Sequence, residues 1–173
     1  YGSPGLENVI AANLGDGILV ERSSAYVSGG TIGANDVAAG NGGAGIRFID
    51  APYGGIDTRQ TPGVPRIHSN AGPGISVEGS SNVSLAGADL ADNGGLGIDL
   101  GNDGVTANDV GDGDGGPNGL ANRPTVRRID RDGAVATVSV RITGVPNQSA
   151  TIDVYSSPAC DPSGTGEGAT FVG

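Results

Sequence analysis

The chain has 173 residues, 34 of them glycine and only 3% aromatic, which excludes a large aromatic core and implies a thin aliphatic one. Its formal charge is −10 and all nine basic residues are arginine, which argues against nucleic acid or an anionic membrane surface as a partner. A single cysteine excludes an internal disulfide, the lack of lysine excludes Schiff-base chemistry, and no apolar run nears the ~20 residues that cross a bilayer.

Residues 1–16 open inside a pattern rather than before it. Glu7 to Asn13 reads as the last side of a coil with no cap visible before it, so either earlier coils are removed or this end meets another molecule. With no signal peptide and no initial Met, the chain reads as a processed or excised product. The pattern is Asn, three residues, Gly, Ile, any residue, large apolar. It occurs as Asn13 with Gly17-Ile18-Leu19-Val20, Asn41 with Gly45-Ile46-Arg47-Phe48, Asn70 with Gly74-Ile75-Ser76-Val77, and Asn93 with Gly97-Ile98-Asp99-Leu100. The glycine intervals are 28, 29 and 23 residues, and periods of about 20–50 residues point to a solenoid.

Each copy alternates as a short strand does. Ile18, Ile46, Ile75 and Ile98 are expected to stack as one interior column, and Val20, Phe48, Val77 and Leu100 as the next. Leu19, Arg47, Ser76 and Asp99 then face outward. The four asparagines are expected at tight left-handed corners, where their amides can stack as a ladder. A 23-residue turn suits three short strands and three corners, with Val83, Leu85 and Leu90 on the other two sides. Val27 and Ile32 repeat the offset of Leu85 and Leu90. The longer intervals imply insertions near residues 36–40 and 58–65.

Gly5-Leu6-Glu7-Asn8-Val9-Ile10-Ala11-Ala12-Asn13, followed by Gly15-Asp16-Gly17-Ile18, resembles the repeats of right-handed parallel β-helix proteins of the pectate-lyase-like superfamily. The closest likeness is to bacterial extracellular or surface β-helix proteins. Gly97 to Asp109 resembles the way such helices end. Pro158 to Gly164 and Gly166-Glu167-Gly168 resemble an Ig-like module that often follows. The resemblance implies an all-β chain: a right-handed parallel β-helix over residues 1–100, a linker loop over 101–124, and a small, incomplete antiparallel Ig-like module over 125–173. It also implies an extracellular or cell-surface location in a bacterium or archaeon. It carries no single activity.

In pectin-degrading relatives the substrate lies along an outer groove. The outward candidates here are Glu21, Arg22, Arg47, Asp50, Ser76 and Asp99, with Arg47 and Asp99 the best pair for contacting a ligand. The Asn-Thr-Asp, Asp-Asp and Gly-His-Gly motifs of polygalacturonases are absent. His68, the only histidine, reads as a surface residue beside a corner.

Residues 101–124 are rich in oxygen ligands. Asp103, Asp109, Asp112 and Asp114 make Ca²⁺ the candidate metal, since a hard cation takes six to eight oxygens and glycine lets a loop wrap it. The bland alternative is an acidic linker of Asx-turns. The EF-hand spacing fails, because Arg123 stands where that pattern needs Glu.

Residues 134–143 alternate, with Ala136, Val138, Val140 and Ile142 on one face. Asp132-Gly133 signals a hairpin to residues 125–131. Further strands are expected over 151–155 and 169–172. Cys160 lies in the loop before the last of these, with no histidine base beside it. The leading functional expectation is a non-catalytic extracellular structural or adhesive module that self-associates end to end or meets other surface proteins. A polysaccharide-binding or polysaccharide-degrading protein is the alternative, and a passive spacer the third class.

Overall fold

The computed structural model describes residues 8–34, 39–56, 63–80, 82–161 and 164–173, and most of both expected insertions lies outside them. Among the described residues the chain is almost entirely strand and turn. The only 3-10 segment with a resolved extent is Pro117–Leu120. Among the described residues no helix is long and apolar enough to cross a membrane.

Among the described residues, eleven short strands build three parallel sheets. The first contains β1 (Val9–Ile10), β4 (Thr31–Gly33), β7 (Arg66–His68) and β10 (Asp89–Ala91). The second contains β2 (Ile18–Glu21), β5 (Ile46–Ile49), β8 (Ile75–Glu78) and β11 (Ile98–Leu100). The third contains β3 (Ala25–Val27), β6 (Gly54–Ile56) and β9 (Val83–Ser84). Each turn of the chain visits all three, so the coil has three sides, as the 23-residue interval implies.

The register matches the repeat. Ile18 pairs with Ile46, Ile46 with Ile75, and Ile75 with Ile98; Val20, Phe48, Val77 and Leu100 follow in step. Ile32, Ile67 and Leu90 form a matching column on the first sheet. Phe48, Ile46, Ile67, Ile75 and Val77 are fully buried. Burial of this kind contributes about 1.5–3 kcal/mol per side chain.

The asparagines do form a ladder. Asn13 Nδ2 donates to Asn41 Oδ1 at 2.8 Å, Asn41 Nδ2 to Asn70 Oδ1 at 2.8 Å, and Asn70 Nδ2 to Asn93 Oδ1 at 2.9 Å. They are not themselves the left-handed corners. That conformation falls on the preceding residue, at Ala12 (φ 59°), Ser69 (φ 59°) and Asp92 (φ 56°). The asparagine is needed for its side chain, which turns inward to bond along the stack. The repeat glycine answers a second demand. A Cβ on Gly45 would lie 2.8 Å from Asn70 Nδ2 and 2.7 Å from the Gly74 carbonyl oxygen, so the ladder and the next coil occupy that space.

The outward column departs from expectation at its C-terminal end. Leu19 is exposed and Arg47 half-exposed, but Ser76 and Asp99 are buried. Residues 101–104 turn back over this face, and Asp99 accepts hydrogen bonds from Asp103 N–H (3.3 Å) and Gly104 N–H (3.1 Å). His68 is also buried rather than on the surface, with Nδ1 3.2 Å from the Ala34 carbonyl oxygen.

Beyond the coils, β12 (Thr125–Asp132) and β13 (Val135–Arg141) form an antiparallel hairpin closed by Gly133 and Ala134, with Gly133 at φ 58°. Of the strand expected over 151–155, only β14 (Tyr155–Ser156) forms, against β15 (Thr170–Phe171). The stretch before it is drawn instead to the last coil, where Asp153 Oδ2 accepts from Gly87 N–H at 3.1 Å.

Asn70→Ala tests the ladder. It takes the Oδ1 acceptor from the buried Asn41 N–H and Nδ2, of which Nδ2 keeps the Ile10 carbonyl, and leaves the Asn93 oxygen with the residue-70 N–H alone, at a cost of about 1–3 kcal/mol. Urea unfolding is expected to give a midpoint shift of that size with little change in slope.

Candidate functional site

Three groups of polar residues merit comparison, and each is positioned by a different part of the chain. The first is the outward face of the second sheet. Arg47 and Asp99 sit in one column, but Ser76 lies between them. Arg47 is held elsewhere: Nε donates to Glu78 Oε1 at 2.7 Å, Nη2 to Glu78 Oε2 at 3.2 Å, and Asp16 lies 3.7 Å from Nη1. The Glu78 hydrogen bond keeps the guanidinium pKa raised. The two residues therefore do not converge on one ligand position. Ser76 Oγ, buried between them, has no hydrogen-bond partner.

The second group is the acidic loop. Carboxylate oxygens of Asp109, Asp112 and Asp114 lie within 4.8 Å of one another. Asp103 is not among them; it belongs to the turn that covers Asp99. The organising residue is one that sequence reasoning passed over. Asn122, buried, accepts from Asp109 N–H (2.9 Å) and donates to the carbonyls of Asp109 and Thr143 (both 3.0 Å). Its own N–H donates to Asp112 Oδ1 at 2.7 Å. The only signal in sequence was an asparagine next to the arginine that breaks the acidic run. All donors here are hard oxygens, the set a Ca²⁺ ion takes.

The third group closes the coil stack, and sequence did not reveal it. Asn93 has no further asparagine to meet, and Glu167 takes that place. Asn93 Nδ2 donates to Glu167 Oε1 at 2.8 Å and Asn93 N–H to Oε2 at 3.2 Å. The preceding rungs use the same pair of donors toward the next amide oxygen. Burial pushes the Glu167 carboxyl upward, opposed by these hydrogen bonds and reinforced by Asp161 and Asp92. Tyr155 beside it is pushed up to about 12 by burial and then by Asp153, and its ring meets Phe171 edge-on at 5.5 Å.

A small polar cleft of about 220 Å³ lies on the outer side of the first sheet, lined by Arg66, His68, Ser69, Asp89 and Asp92. Arg66 and Asp89 are register partners on adjacent coils. The interval between those coils, not any local motif, brings them together.

Compared with protein-family models, with curated proteins and with solved structures, the chain gives no match.

Two substitutions test these assignments. A raised carboxyl pKa means the folded state holds the proton more tightly than the unfolded chain. Its contribution is complete below the unfolded value of about 4.3 and fades as pH rises through the folded value. Glu167→Gln keeps one of the two acceptor oxygens and removes the charge. Its melting temperature relative to wild type is expected to be more favourable at pH 7 than at pH 4; a difference that does not vary with pH contradicts the assignment. Ser76→Ala removes a hydroxyl that is buried without a partner, so thermal melts are expected to show no loss, and up to about 1 kcal/mol of gain.

Proposed function

We propose that this chain is a non-catalytic structural or adhesive module of an extracellular or cell-surface protein. In this reading the coils are a right-handed β-helix of the pectate-lyase-like kind, and residues 125–173 are the start of an Ig-like sandwich. One observation carries the reading: the repeat asparagines and Arg47 are engaged in holding coil to coil. The ladder runs through every repeat to Glu167, and the outward Arg47 is tied to two carboxylates. Such a stack is a stiff element that presents surfaces at fixed distances.

Self-association or contact with other surface proteins would use the β12–β13 hairpin rather than coil stacking at the Glu167 end. Both strands are exposed along their whole length, and Val126, Ile129, Val138 and Val140 stand on a face that nothing covers among the described residues. A two-stranded ribbon with free edges is a template for strand addition. Ca²⁺ on Asp109, Asp112 and Asp114 would brace the turn that leads into this hairpin. The alternative, polysaccharide binding, is favoured by the Arg66–His68–Asp89–Asp92 cleft, whose mixed charges suit sugar hydroxyls.

Negative-stain microscopy and light scattering at high concentration, with Ca²⁺ and again with chelator, test the reading. Assemblies are expected that Val138→Arg disperses, and chelation is expected to weaken them. Monomers under all conditions, with retention of acidic polysaccharides that Arg66→Ala abolishes, would replace this reading with the alternative.

A further inference from the structure

The last coil is finished unevenly. On the third sheet, the Asn118 side chain stands in for a strand: Oδ1 accepts from Val83 N–H at 3.0 Å and Nδ2 donates to the Val83 carbonyl at 2.7 Å. On the first sheet, the Gly168 carbonyl accepts from Leu90 N–H at 2.7 Å, next to the Glu167 cap. The second sheet has only a partial cover, Thr106 Oγ1 donating to the Leu100 carbonyl at 3.4 Å. β11 pairs only with β8, and Gly97 O, Asp99 and Gly101 N–H are the groups that face it. The N–H and carbonyl of Ile98 therefore point away from the stack, where no described residue pairs with them.

The side chains tell the same story. Ile46 and Ile75 are fully buried by the coil that follows, whereas Ile98, in the same column, is 37% exposed. Above it lies a cleft of about 650 Å³. Its floor is the end of the solenoid core (Leu85, Leu90, Ile98 and Leu100), and Val105 and Leu120 overhang it. The volume falls in the range of about 300–1,000 Å³ typical of small-molecule sites, and an apolar lining with a few placed polar groups is their usual make-up. The floor is held by stacked rungs and is therefore preorganised.

Charge narrows the occupant. Glu167 and Tyr155 are the half-buried ionisable groups of the lining, Arg123 in it is exposed, and the chain as a whole carries −10. An anionic amphiphile would meet a carboxylate and an acidic surface. The overhang leaves room for a compact molecule rather than a whole further coil. We propose that this cleft binds an uncharged, largely hydrocarbon small molecule with one hydrogen-bond acceptor, its apolar body on Ile98 and Leu100 and its acceptor on the Ile98 N–H.

The test uses two fluorescent probes on the intact chain, uncharged N-phenyl-1-naphthylamine and anionic 1-anilinonaphthalene-8-sulfonate. The uncharged probe is expected to give a saturable, one-to-one signal and to bind about tenfold more tightly than the anionic one. Ile98→Phe and Val105→Phe, which fill the cleft from floor and overhang, are each expected to weaken it by about tenfold or more. Val110→Phe, at a fully exposed position outside the cleft, is expected to leave it unchanged. Circular dichroism melts confirm that the variants fold; Val105 sits in the covering loop, so its variant serves if Ile98→Phe does not. No saturable signal from the uncharged probe, or one that neither folded variant diminishes, overturns the site. Equal or tighter binding of the anionic probe overturns the assignment of an uncharged ligand.

Discussion

The fold depends on a run of amide-to-amide hydrogen bonds from coil to coil. Each repeat asparagine donates to the oxygen of the next, and the spacing of those amides is the rise of the solenoid. Everything else is placed by that rise. Isoleucines meet isoleucines because each coil sits directly over the last. The repeat glycines are required because the amide and the following coil's carbonyl occupy the place of a Cβ. The ladder is also directional, so it must begin on an acceptor and end on a donor.

That directionality explains the C-terminal cap. A stack of identical coils has no way to stop, since each leaves a donor amide, two or three strand edges and a layer of apolar side chains without partners. Here termination falls to residues outside the repeat. Glu167 receives the last amide, Asn118 imitates a peptide group on one edge, and Gly168 supplies a carbonyl to another. The segment between the coils and the hairpin is therefore more than a connection: its Asn118 and its turn over Asp99 close the end and one outer face. The edge at Ile98 adjoins a cleft of about 650 Å³.

The charged residues show why a motif-based search for chemistry has little to hold. Arg47, which read as a free cation on a groove, forms a bidentate pair with Glu78 one coil on. Asp99, which read as its neighbour, lies two rungs away and anchors a turn. Residues that are neighbours in space, such as Arg66 and Asp89, are separated by a whole coil in the chain.

The sequence by itself determined the repeat, its three-sided coil, the interior columns, the asparagine ladder and the hairpin after Asp132. These follow from a pattern that recurs at fixed offsets, and stacking turns such a pattern directly into register. Only the tertiary structure decided how the stack ends. Glu167 lies 74 residues beyond Asn93 and shares no motif with it. The burial of Ser76, Asp99 and His68 was likewise hidden, because alternation predicts which way a side chain points and not what later folds over it. Of the four aspartates in the acidic loop, the fold gathers three and turns the fourth away, through the hydrogen bonds of Asn122 and Asp99. Repetition makes local structure legible, whereas the single contacts that terminate a repeat occur once and leave no period to read.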